Sequence, residues 1–116
     1  MSVKIISTSR ELTKVERYRL TLSPEILTLQ KVADDEPIEV SAFCEFEDVN
    51  EETGEVSELL GILATDGHSY VTQSKTFKES FKNIADIFAD DGETFSIRKI
   101  SGKTNAGRDY INCVLA

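Results

Sequence analysis

Between Glu36 and Asp48 the chain alternates with period two. Ile38, Val40, Ala42, Cys44 and Phe46 fall on one side, and Glu39, Ser41, Phe43, Glu45 and Glu47 on the other. Such a run cannot lie down as a helix without scattering its apolar residues around the axis. It predicts a long strand with one buried face. The polar stretch Asn50–Glu55 contains Gly54 and reads as a hairpin loop into a second strand, Val56–Thr65. That strand holds the run LLGIL, apolar on both faces, and Gly61 within it suggests a bulge or sharp bend. Asp66-Gly67 is a tight turn, followed by a short strand at His68–Gln73.

The pattern then changes to a helical one. Phe77, Phe81, Ile84 and Phe88 form one stripe at 3.6-residue spacing. Thr76 with Glu79 makes a capping box at the start, or Ser74 is the cap, and Asp90-Asp91-Gly92 is the expected stop. Strands are expected at Thr94–Ile100 and Arg108–Leu115, joined by the loop Ser101–Gly107. Three strands, a helix and two strands is the layout of a mainly β, five-stranded OB-fold-like Greek-key barrel, with its helix between strands 3 and 4. An antiparallel sheet covered by one helix competes with it. Residues 36–116 would form this domain, with residues 1–35 as an N-terminal extension packed on it. Within the extension, Val3–Ser7 reads as an extra strand. Thr13 and Glu16 make a capping box for a short helix, Lys14–Leu20, and Ser23-Pro24-Glu25 is a second helix-start signature.

Charge narrows the function. The net charge of −8 seems to argue against nucleic acid, but it is unevenly placed. Residues 1–31 carry +3, residues 32–74 carry −12 with no Lys or Arg, and residues 75–116 carry +1. The acidity belongs to one segment. Read blandly, that segment is a solvated surface that aids solubility. At 116 residues the chain is one domain in length, with no apolar run of membrane-spanning size, no secretory signal and too few cysteines for a disulfide framework. The expectation is a soluble intracellular protein with no membrane partner.

Catalysis finds little support. One His, His68, sits beside a turn, and Cys44 and Cys113 lie on apolar strand faces. Their wide spacing gives no metal site, so neither cofactor nor metal is expected. Gly102-Lys103-Thr104 has the end of a phosphate-binding loop but lacks its first glycine, Ile97 standing there, and it leads into a strand.

The last hairpin is more informative. Arg98, Lys99, Lys103 and Arg108 flank a glycine-containing turn. In an OB-fold that loop is one of two that grip a single strand. Bases also need aromatic faces, and Tyr110, Phe43 and Tyr70 are the candidates. Lys75 and Lys78, at the helix start, add phosphate contacts. The plainer alternatives are a polar hairpin, and aromatics packed beneath the helix or the N-terminal segment. Lys14, Arg17 and Arg19 around Tyr18 form a second positive patch, ranked below the hairpin.

Residues 59–116, LLGILATDGHSYVTQSKTFKESFKNIADIF onward to SGKTNAGRDYINCVLA, resemble the single-stranded DNA-binding proteins of tailed bacteriophages. The pattern is Ala64, Asp66, Gly67 and Tyr70 around the turn, Ser74-Lys75-Thr76 at the helix start, then the Lys/Gly hairpin. Residues 36–58 share it more weakly, and residues 1–35 are not covered. The resemblance implies a small OB-fold protein, not an enzyme. Such a protein coats single-stranded DNA in phage replication without sequence preference, in the host cytoplasm. Basic replication proteins on the acidic strands, or a second copy as a homodimer, are the further partners. The alternative is an acidic protein-interaction module, or a DNA mimic, on the same fold.

Overall fold

The computed structural model describes residues 2–88 and 94–116. Its elements are β1 (Ser2–Thr8), α1 (Lys14–Thr21), β2 (Leu27–Thr28), a 3-10 turn at Leu29–Lys31, β3 (Ile38–Val49), β4 (Val56–Ala64), β5 (Ser69–Thr72), α2 (Lys75–Phe88), β6 (Phe95–Lys103) and β7 (Asp109–Leu115). The chain is mainly β. Among the described residues its sheet has seven strands: β3 to β7 from residues 36–116, and β1 and β2 from the N-terminal third, β1 where an extra strand is expected and β2 unforeseen.

β3 organises the sheet. One of its edges pairs with β4 from Val40 to Val49. The other is shared: β6 takes Ile38–Val40, and β1 takes Cys44–Val49. An irregularity between Val40 and Ala42 sits where one neighbour gives way to the other. Two strands leaving one edge at different points curl the sheet into a half-barrel, consistent with an OB-like barrel. The hydrogen-bonded path ends at β2 on one side and β7 on the other.

The sheet is covered on both faces. On one, Phe77, Phe81 and Ala85 of α2 pack with Leu60, Ile62, Phe95, Ile97 and Ile111. On the other, Leu12 and Leu20 join Ala42, Cys44, Phe46 and Leu63. This explains LLGIL: Leu60 and Ile62 face α2, while Leu59 and Leu63 face the N-terminal segment. Leu20 is fully buried, worth about 2–3 kcal/mol of transfer free energy.

Gly61 does not mark a bulge. Its pairing with Cys44 and Val71 is regular. A Cβ there would stand 3.0 Å from the Leu20 carbonyl oxygen and 3.2 Å from the Phe46 ring. The glycine instead admits α1 to the sheet.

Local signals behave as follows. Thr13 and Glu16 form the capping box of α1 in both directions. For α2 the cap is Ser74, whose hydroxyl accepts the Phe77 N–H at 3.2 Å. Ser23–Glu25 begins a turn, not a helix: the Ile26 N–H donates to the Ser23 carbonyl, and Leu27 then pairs with Tyr70. The last hairpin is longer than expected, with pairing carried on to Lys103 and Asp109. The expected helix stop at residues 90–92 lies outside the described residues. None of the described helices is long and apolar enough to cross a membrane.

Candidate nucleic-acid interface

The β6–β7 hairpin builds the site. Opposite Tyr110 across the ladder stands Gly102. A Cβ on Gly102 would meet the phenol Cζ and Oη at 2.6 Å, so the ring rests against the glycine backbone. Tyr110 nevertheless keeps 40 % of its surface exposed. That leaves an aromatic surface open to solvent, held in place from behind. Lys103 and Arg108 are exposed at the two ends of the turn beside it. Lys103 lies 3.9 Å from Asp109, a loose pairing, and Arg108 has no ion pair among the described residues.

Tyr110 borders a groove of about 660 Å³ between the hairpin and the β5–α2 junction. Gln30, Gln73, Ser74, Ser101, Gly102, Asp109 and Ile111 complete its lining. Lys75 follows Ser74 directly and is exposed. The hairpin thus carries Lys103, Arg108 and Tyr110, and Lys75 is next in sequence to Ser74 of the groove wall.

The model of the phage single-stranded DNA-binding protein family matches residues 5–116. The chain belongs to that family. Its ligand class is therefore single-stranded DNA, and the family is defined by binding, not by catalysis. Comparison with curated proteins and with solved structures returns no match.

For a phage single-stranded DNA-binding protein, the other residues singled out by sequence sit less favourably. Lys99 is 3 % exposed. Its ammonium lies 3.0 Å from Asp34 and 3.4 Å from the Gln30 carbonyl, so it fastens the β2–β3 connector to β6. The Ser101 hydroxyl and N–H hold the same Asp34 at 2.8 and 3.1 Å. The Lys99 ammonium, then Ser101, keeps the Asp34 carboxyl below its usual range. Arg98 is paired with Asp35, a residue in the left-handed region at φ 65° whose N–H donates to the Lys99 carbonyl. These pairs use the charge of β6 within the fold.

Tyr70 is 8 % exposed and belongs to the core; burial pushes its phenol up. Stacking a base on it would require opening that core. Phe43 is half-buried, edge-on to Phe81 at 4.9 Å. The Lys78 ammonium donates to the Glu58 carbonyl at 3.2 Å, toward the acidic strands. One turn further on, Lys82 pairs with Glu45 at 2.9 Å. Cys44 and Cys113 are buried thiols, pushed up by burial to about 11 and about 12. His68 is exposed and 3.0 Å from Asp66, which raises it.

On α1, Lys14, Arg17 and Tyr18 share one exposed stripe, with Tyr18 51 % exposed. Of the groove lining, Tyr110 is legible in the sequence as a stacking candidate, whereas Gln30 and Gln73 are not. Gln30 and Gln73 come from separate connections and meet only because β2 pairs with β5. No spacing in the chain signals that.

Proposed function

We propose that the chain coats single-stranded DNA without reading its sequence, in phage replication or recombination. In this reading β3 to β7 form an OB-like five-stranded barrel, with α2 between its third and fourth strands. Residues 1–35 are its cover. The strand crosses the β6–β7 hairpin, with phosphates on Lys103, Arg108 and Lys75 and a base on Tyr110.

One observation supports this above the others: the open surface of Tyr110, seated on Gly102 beside two exposed cations. A π-face and nearby positive charge are what sequence-tolerant single-strand binding needs, and a stacked base contributes about 1–3 kcal/mol. The acidic β3–β4 hairpin repels DNA, and so favours a single track.

The test is a fluorescence-polarisation titration with oligo(dT) and mixed-sequence oligonucleotides at low and moderate salt. Binding at micromolar protein, similar for each sequence and weakened by salt, is the expected result. No binding at low salt overturns the reading.

A further inference from the structure

We propose that the groove beside Tyr110 receives one unstacked nucleobase, edge first, on the side-chain amides of Gln30 and Gln73. This rests on the reading of the chain as a single-strand coat, and adds where one base goes.

Size permits it, since about 660 Å³ lies within the roughly 300–1,000 Å³ of small-molecule sites. The lining chooses the base over the phosphate. No Lys or Arg lines the groove, and the Asp109 carboxylate stands in its wall. A phosphate would meet that charge, whereas Lys103 and Arg108 wait outside.

The lining hydroxyls are already engaged. Ser101 donates to Asp34, and Ser74 accepts from Phe77 and donates to the Ile111 carbonyl at 3.4 Å. The amides are not. Gln73 is exposed and its side chain has no hydrogen bond among the described residues. Gln30 uses only its Nε2, toward Thr72 at 3.5 Å, which leaves its Oε1 open. A primary amide offers both donor and acceptor, so two of them can meet the edge of any base. Ile111 supplies apolar contact, and Tyr110 a wall to stack on.

The experiment compares an oligo(dT) with an abasic strand of equal length, on wild type and on Gln30→Ala with Gln73→Ala. Both positions are exposed, so the fold should persist, which circular dichroism checks. The expected result is about a tenfold loss on oligo(dT) and no change on the abasic strand, the size of two modest hydrogen bonds. In the wild type, the Gln30 and Gln73 side-chain amide resonances should shift with oligo(dT) and stay put with the abasic strand. That readout needs no substitution. Unchanged oligo(dT) affinity in the variant, or equal losses on both strands, overturns the base pocket while the single-strand reading stands. Wild-type protein that binds neither strand overturns both.

Discussion

The Tyr110 ring rests on Gly102 so closely that a methyl group there would meet its Cζ and Oη at 2.6 Å. The contact involves the far end of a side chain that is free to swing outward. Gly102→Ala should therefore cost little stability, under about 1 kcal/mol, while moving the ring. Tyr110→Ala should lower single-strand affinity by about 1–3 kcal/mol. Gly102→Ala should reproduce a large part of that loss without touching the ring's chemistry. The chain has no Trp and three Tyr, so quenching of tyrosine fluorescence by DNA reports directly.

Lys103 and Arg108 are exposed, and Lys103 faces Asp109 loosely, at 3.9 Å. Replacing both with Ala should weaken binding to every sequence alike. The plot of log K against log salt should become shallower by about 1.4, since each phosphate contact on a single strand contributes about 0.7. Titrations at several salt concentrations measure this.

Lys99 gives the opposite expectation. Lys99→Met should leave DNA affinity unchanged, because the ammonium is buried against Asp34. Asp34→Ala strands that buried ammonium and should lower the urea midpoint. Urea unfolding of the two variants checks the contrast.

Gly61→Ala sets a methyl group 3.0 Å from the Leu20 carbonyl. Backbone cannot give way cheaply, so a loss of about 1–3 kcal/mol is expected as α1 lifts from the sheet. Oligo(dT) affinity should stay within about twofold of wild type, because the hairpin site is elsewhere. Urea midpoints and polarisation titrations of the same sample test both halves.

Glu16 ties α1 to acid stability. Its hydrogen bond with the Arg10 guanidinium, then the one from the Thr13 N–H, lowers its carboxyl from 4.5 to about 2. A carboxyl depressed on folding stabilises fully above its unfolded value and loses that contribution as pH falls through the folded one. Amide signals of Lys14–Thr21 should weaken between about pH 4.5 and 2. Glu16→Gln, which can still cap, should flatten the dependence in that window.

Much of the fold was legible where a single period rules a long segment. The stripe Phe77–Phe88 admits one geometry, and the alternation of Ile38–Phe46 gives a strand but not a single buried face. At the Val40–Ala42 irregularity it changes sides, Ile38 and Val40 packing with α2 and Ala42, Cys44 and Phe46 with the N-terminal segment. The Thr13 capping box is local chemistry and needs no tertiary context. The site was harder to read. Lys99 does carry a signal, because it continues the inward positions of Phe95 and Ile97 along β6, yet its charge suggests the surface. Its partner Asp34 is distant in sequence, and no local rule links them. Tyr70 follows the Asp66-Gly67 turn and the polar Ser69, which suggests an exposed ring, yet β2 with the core encloses it. Gly61 signals an exception to strand geometry, but only the packed α1 says which kind.

The shared edge of β3 bears on how the chain is made. Ile38–Val40 has its partner in Phe95–Ile97, about sixty residues later in synthesis. Asp34 and Asp35 wait for Arg98, Lys99 and Ser101. On the ribosome, the first half of the chain can form the β1–β3–β4 ladders, but it must hold one end of its longest strand open. Closure is then a late, non-local event, slow in proportion to the separation it spans. Until β6 emerges, that open strand edge is the part of the nascent protein most exposed to mispairing with another chain.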